Sequence, residues 1–481
     1  MRGPVHPIHD PLFSPKGLVL LLVLLVSWGA SLSSCAPWTP PGDGEAKGCV
    51  QELQLDVPLA SRLGISSHLE WGSSAEAVAY REFESAAWLD LGVAMMRTDF
   101  TWGRVEPERD QFDFSGIDRV VDTAEAQGVE VLAILNYGNW WATSTENSLS
   151  PPDDMADFGD YVEAVATRYR GRIRYYEIWN EQNVGYTFWH PVEDPVAYGA
   201  LLSEASARLR AIDPEAVVSF GGLFQPSLFF NTEGEEYLRQ VADSVADLAS
   251  LVDVVAYHPY RYPFTAPESS SDSQESLVET TCRMTDALVD LGLVDVPLWI
   301  TELGWHTAPE ALVTGVSEQD QAAYLVRSAL LAFGQGVEQF TWYTFRDSGL
   351  DTDDQEQMFG LYAFDEDPTV APLPRAKPAA QAHATLARGL AQHDRIVDLS
   401  QWLGLDEETY AFQLTGDQHV TTALWTVGDS RTVRLPARGE AVLVSLDGSE
   451  LELASIDGAY EVDLSGSPVF IEAARGVLPG S

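Results

Sequence analysis

The sequence predicts an α/β fold, a (β/α)8 TIM barrel followed by a small C-terminal antiparallel β-sandwich domain, and three observations predict it. From about residue 60 to 390, short β-branched runs alternate with helical patterns; eight such runs can be counted; and after about residue 392 the helical periodicity stops. Strands alternating with helices argue for parallel strands joined by crossover helices, and eight units over roughly 330 residues suit a closed barrel. A doubly wound open sheet is the alternative.

The strand expectations are Leu63–Ser67, Ala94–Thr98, Val129–Leu135, Ile173–Trp179, Val217–Gly221, Val252–Tyr257, Leu298–Thr301 and Gln339–Thr344. Between them lie stripes at i, i+3, i+4 and i+7, such as Ile117, Val120, Val121 and Ala124, or Tyr198, Leu201, Leu202, Ala205 and Leu209. Each stripe can bury one helix face against a sheet. Polar, Pro/Ser-rich insertions follow several strands: Thr143–Asp154, Pro263–Gln274 and Ser348–Gln357. In a barrel these are βα loops, the face that carries chemistry. Asp351, Asp353 and Asp354 lack the glycine and terminal glutamate of an EF-hand and read as a solvated acidic loop. Beyond residue 392, Thr409–Leu414, Val420–Trp425, Thr432–Leu435, Ala441–Ser445 and Val469–Ala473 read as short strands between Gly/Asp/Ser turns.

Composition bounds the class. Hydrophobic content of 45% with 10% aromatics provides a full core; a disordered chain would hold less. With 28 basic and 73 acidic residues the net charge is −45, and the lysines are only Lys16, Lys47 and Lys377. Such a surface repels nucleic acid and anionic headgroups.

The N-terminus reads as an export signal over residues 1–34: Lys16, the apolar run Gly17 to Trp28, then Leu32-Ser33-Ser34-Cys35. A membrane anchor is the alternative, but the run is shorter than the roughly 20 residues that span a bilayer. Leu-Ser-Ser-Cys resembles a bacterial lipobox, with Cys35 as the lipidated residue. On that reading the protein is an exported cell-envelope lipoprotein, otherwise secreted, and residues 35–58 are a Pro/Gly-rich tether to a barrel at 59–391 and a sandwich at 392–481. Cys49 and Cys282 either pair in an oxidising compartment or are unrelated. No Cys/His cluster suggests zinc, and no cofactor is expected.

Two segments carry the chemistry. Tyr175-Tyr176-Glu177-Ile178-Trp179-Asn180-Glu181 is an apolar strand that ends in polar side chains; alternation places Tyr175, Glu177 and Trp179 on one face and Tyr176, Ile178 and Asn180 on the other. Leu298-Trp299-Ile300-Thr301-Glu302 repeats the layout. Glu181 and Glu302 therefore end the fourth and seventh strands. Two carboxylates at a barrel mouth suit acetal hydrolysis, which needs a proton for the leaving oxygen and a carboxylate for the oxocarbenium-like centre.

These motifs resemble the clan A retaining glycoside hydrolases. Glu-Ile-Trp-Asn-Glu-Gln-Asn with Trp-Ile-Thr-Glu-Leu-Gly-Trp is most similar to family 39 and related bacterial exopolysaccharide endoglycosidases, with Gln182 standing where relatives often carry Pro. Arg97, Trp102, Glu106-Pro107, Phe112 to Ser115, His258-Pro259-Tyr260 and Trp342 extend the resemblance over residues 60–390. It implies Glu181 as acid/base with a raised pKa, and Glu302 as an ionised nucleophile favoured by Arg97. It further implies that Asn180 bonds the sugar 2-hydroxyl, that Tyr260 or His258 braces Glu302, and that Trp342 floors the sugar ring. His68, Trp71 and Asn136 are further subsite candidates. Trp140, Trp141 and Trp189 either stack on outer sugars or pack. Arg97 could instead make a structural ion pair, and His258 and Tyr260 could satisfy each other. The expected partner is a polysaccharide or oligosaccharide, acted on by a monomer; a non-catalytic carbohydrate-binding lipoprotein is the competing reading.

Overall fold

A computed structural model of the chain describes residues 49, 52–145, 147–225, 231–271, 274–366, 369 and 374–476. The expected signal, Cys35 and most of the tether lie outside the described residues. Eight parallel strands close into a barrel: β1 (Leu63–Ser66), β2 (Met95–Thr101), β3 (Glu130–Asn136), β4 (Tyr175–Asn180), β5 (Val217–Phe224), β6 (Val254–His258), β7 (Leu298–Leu303) and β8 (Gln339–Trp342). Pairing of β1 with β8 completes the closure, as Leu63 meets Phe340 and Ile65 meets Trp342.

Helices cover the outside, and their N-caps mark where several βα loops end. Ser74, Asp154, Asp194 and Ser317 each accept from a backbone N–H in the first turn of the following helix. Ser276 and Glu279 form a reciprocal capping box at the start of Leu277–Asp290, an arrangement worth about 1 kcal/mol. None of the described helices is long and apolar enough to cross a membrane.

Inside the barrel the two-residue period of the strands sorts chemistry by height. Met95, Leu132, Val254 and Trp299 form a small apolar cluster, with Tyr175 and Val217 packed against it. Two residues further along each strand stand Arg97 and Glu177, and beyond them Asp99, Asn136 and His258. The apolar plug thus seals one end, and polar groups gather toward the carboxyl ends of the strands.

The C-terminal region forms a seven-stranded antiparallel sheet and a two-stranded ribbon, Arg431–Pro436 with Ala459–Leu464. Alternation on the strand Thr409–Thr415 is clear: Ala411 faces the ribbon core with Val420, Leu435 and Tyr460, while Phe412 and Leu414 join the barrel core. Gly334 lies where Phe412 comes so close that no Cβ would fit. Residues counted above with the tether are also part of this domain. Glu52–Gln54 adds an edge strand to the sheet by pairing with Arg395–Asp398, and Cys49 is disulfide-bonded to Cys282 with Cα atoms 5.4 Å apart. The strands Glu450–Ala454 and Ala459–Leu464 were not anticipated; alternating Glu and Asp leave their apolar pattern weak.

Candidate active site

The cleft is built around one buried cation. Arg97, on β2, donates from Nε and Nη2 to the two oxygens of Glu177 (3.2 and 2.7 Å), from Nη2 to Asn180 Oδ1 (2.7 Å) and from Nη1 to Glu302 Oε2 (2.8 Å). Burial alone would favour loss of its charge, but Glu177 and Glu302 more than offset that, so the guanidinium stays charged. The structural ion pair and the contact with Glu302 are therefore made by the same side chain.

Strict alternation would place Glu177 and Asn180 on opposite faces of β4, yet both reach Arg97. The backbone departs from regular strand at Trp179 (φ 72°) and again at Glu181 (φ 49°), two non-glycine residues in the left-handed region. Such conformations cost of order 1–3 kcal/mol and persist where the surroundings impose them. Here Glu181 N donates to Gly222 O (2.9 Å), and Trp179 is wedged against Trp189, with ring centroids 4.9 Å apart. On β7 the pairing with β8 shifts register between Ile300 and Leu303. The adjacent Thr301 and Glu302 both serve the cleft as a result, Thr301 toward His258 and Glu302 toward Arg97.

His258 and Tyr260 do not satisfy each other; each takes one of the two glutamates. Tyr260 Oη donates to Glu302 Oε1 (2.6 Å). His258 Nδ1 lies 2.8 Å from Glu181 Oε1, and its Nε2 lies 3.0 Å from Thr301 Oγ1. Burial, with Arg97 adding to it, pushes the imidazole well below its ordinary range, so it is neutral. A neutral imidazole donates through one nitrogen and accepts through the other, and a hydroxyl does either. Thr301 can therefore follow whichever tautomer Glu181 requires. Gly222 makes room: a Cβ there would fall inside the His258 ring.

The two carboxyl groups are not equivalent. Glu181 is held well above the carboxylate range by burial and by the charge of Glu302, with Arg97 acting against this. Glu302 is also raised by burial, but Arg97 and the Tyr260 hydroxyl pull it back. Of the pair, Glu302 therefore gives up its proton first. The ligand-type atoms of Glu181, His258 and Glu302 lie within 4.8 Å of one another. With Arg97 and Tyr260 on the two oxygens of Glu302, that carboxylate already has its positive partner.

The remaining expectations divide. His68 Nδ1 is 3.4 Å from Asp99, and Asn136 Nδ2 donates to the same carboxylate (2.6 Å), leaving Asn136 Oδ1 buried without a partner. Asp99 was not singled out from the sequence, although an aspartate two positions after Arg97 on an inward-facing strand is the signal for it. Glu177 carries a similar signal, since an acid inside an apolar strand demands a cation. Trp342 is corrected. Its ring is fully buried and stacked on Trp305 at 6.0 Å, so no sugar can lie on it. The next residue, Tyr343, is the aromatic at the cleft, edge-on to His68 (6.1 Å), Tyr260 (6.4 Å) and Phe359 (5.3 Å). Of the two alternatives for Trp141 the contacts fit packing: half-buried, it stands edge-on to Trp102, lies under Arg109, and donates to Glu106 O (3.0 Å). Trp189 is likewise buried packing.

A closed eight-stranded barrel whose mouth gathers two glutamates, an arginine, a histidine and a tyrosine defines a glycoside hydrolase of clan A. The model of the cellulase family (glycosyl hydrolase family 5) matches residues 62–342, and the chain belongs to that family. Its substrate is a carbohydrate. Among solved structures, a family 39 glycoside hydrolase from the gut symbiont Bacteroides cellulosilyticus WH2 is 20% identical, with a TM-score of 0.68 over 88% of this chain and 82% of that one. A monomeric β-xylosidase from Caulobacter crescentus CB15 is 18% identical (TM-score 0.60; 90% and 98% covered). An α-L-arabinofuranosidase from Thermotoga maritima is 11% identical (0.60; 89% and 100%). At these identities the likeness is one of fold.

Proposed function

We propose that the protein hydrolyses O-glycosidic bonds of a polysaccharide or oligosaccharide by a two-step double displacement, with Glu181 as acid/base and Glu302 as nucleophile. One observation carries this reading: a carboxylate oxygen of each glutamate lies within 4.8 Å of the other. Carboxyl groups this close can both reach a single anomeric carbon. The order of proton loss fits as well. Glu302 attacks the anomeric carbon as its carboxylate while Glu181 donates its proton to the leaving oxygen; Glu181 then takes a proton from the water that releases the sugar. The reading is tested by NMR of the first-formed product: a product with the substrate's anomeric configuration is expected, and the opposite anomer refutes it.

In this reading Asn180 on β4, His68 just after β1 and Asn136 on β3 contact the sugar, and Tyr343 forms the floor in place of Trp342. Tyr343→Ala is expected to lower kcat/KM roughly tenfold or more through lost stacking, whereas Trp342→Phe should lower Tm and leave KM unchanged. Trp140 (58% exposed) and Tyr186 (67% exposed), on loops after β3 and β4, suit outer subsites of an extended chain. The family description and the xylosidase likeness favour a neutral β-linked glucan or xylan backbone. The Lys16 to Cys35 segment supports export as a lipoprotein; labelling with a radioactive fatty acid that persists in a Cys35→Ser variant would refute the anchor.

A further inference from the structure

We propose that the C-terminal domain clamps one wall of the cleft, acting through Glu268 as a positioning residue. The segment after β6 carries Tyr260, which donates to Glu302, and Phe264, which stands edge-on to His306 (4.3 Å) and Phe359 (5.9 Å). Phe359 in turn touches Tyr260 (6.1 Å) and Tyr343 (5.3 Å). This wall of the cleft is therefore a set of interlocked rings, and its position depends on the segment behind it.

That segment is tied into a knot by Arg261, which is buried and bonds Thr265 Oγ1 (3.1 Å), Ser269 O (2.5 Å), Gln274 Oε1 (3.1 Å) and the carbonyl of Glu275. Trp305, three residues after Glu302, donates to Thr265 O (2.9 Å). The far side of the knot is Glu268. Its Oε1 accepts from Arg327 Nε and Trp425 Nε1, both at 2.8 Å, and its Oε2 from Arg327 Nη2. Arg327, on the barrel helix Glu318–Gly334, also donates to Gly466 O (3.2 Å). Trp425 and Gly466 belong to the C-terminal domain. The side chains of Arg327 and Glu268 are only 5% and 3% exposed, so this carboxylate has given up water for the barrel's Arg327 and for one N–H, that of Trp425, which the C-terminal domain provides.

The aim of the Trp425 N–H is fixed, because its ring is stacked on Tyr410 (5.1 Å, 5°) and Phe412 (5.6 Å, 11°). Glu268 adjoins Ser269, whose carbonyl is held by Arg261, and lies four residues from Phe264. Any shift of Glu268 passes through this short, bonded path to the wall that carries Tyr260. The domain is thereby more than an appendage packed on the barrel.

Trp425→Phe removes the indole N–H and keeps the ring stack. Relative to wild type, amide exchange across residues 261–271 is expected to accelerate, and KM for a polysaccharide to rise roughly fivefold, the size of one lost bond to a buried carboxylate. The kcat on a small aryl glycoside should stay within about twofold, since Glu181 and Glu302 themselves are untouched. Ile471→Val, in the core between sheet and ribbon, is the control for general loosening of the domain. Unchanged exchange in 261–271, or equal effects from Ile471→Val, overturns the proposal. The kinetic measurement rests on the cleft reading above; the exchange measurement does not, so failure of one reading is separable from failure of the other.

Discussion

Glu302→Ala is expected to lower kcat for an aryl glycoside by about 10⁵-fold, the scale seen when a covalent nucleophile is deleted, with no loss of fold. The fold survives because Arg97 keeps Glu177 and Asn180 as partners, so no buried cation is left unpaired. The space vacated beside Arg97 can admit a small anion. Azide should therefore restore turnover of an activated glycoside and yield a glycosyl azide of inverted configuration. Circular dichroism, the rate and the azide product together check the assignment. Residual activity within about tenfold of wild type would remove Glu302 from the nucleophile's role.

Glu181→Gln separates substrates by leaving group. Glycosides with a sugar or alkyl leaving group need the proton and should lose about 10²–10⁴ in kcat/KM, the usual worth of a positioned acid. A dinitrophenyl glycoside needs no proton to leave; it should still glycosylate the enzyme, giving a burst followed by slow release because the base for the second step is gone. The pH profile supplies a further check. In the wild type the rate is expected to fall as pH rises through the raised pKa of Glu181 and to fall as pH drops through that of Glu302. The substitution abolishes the high-pH limb. Stability follows the same sign. A group whose folded pKa is raised above its ordinary 4.5 stabilises most below that value, and this contribution is lost as pH rises through the folded pKa. Glu181→Gln should accordingly flatten the fall of Tm toward high pH. Equal losses for both leaving groups, with the high-pH limb intact, would exclude Glu181 as the acid.

Much of this arrangement was legible along the chain, and where legibility failed the cause is physical. Alternation sets Glu177 and Asn180 on opposite faces, but both reach Arg97, because the left-handed backbone at Trp179 breaks the two-residue period. The same parity problem exchanged Trp342 for Tyr343: both are large aromatics at the end of β8, and only the barrel's curvature decides which one turns to the cleft. Trp141 could stack on sugar or pack as far as sequence goes, and its contacts with Trp102, Arg109 and Glu106 come from residues distant from it along the chain. Glu52–Gln54 read as tether because a three-residue strand has no period to detect, and its partner lies some 340 residues away.

The sequence by itself determined the eight βα units, the polar ends of β4 and β7, and with them the pair Glu181 and Glu302, since strand period, helical stripe and strand-end position are local properties. The tertiary structure alone decided who faces whom: Arg97 shared between Glu177 and Glu302, His258 on Glu181, Tyr260 on Glu302, and Cys49 joined to Cys282. Those contacts depend on closure of the barrel, which sets strands distant in sequence side by side and withdraws their charges from water. Burial raises both carboxyl groups; their unequal partners, Arg97 and the Tyr260 hydroxyl on Glu302 against the charge of Glu302 beside Glu181, give two chemically identical groups different proton affinities.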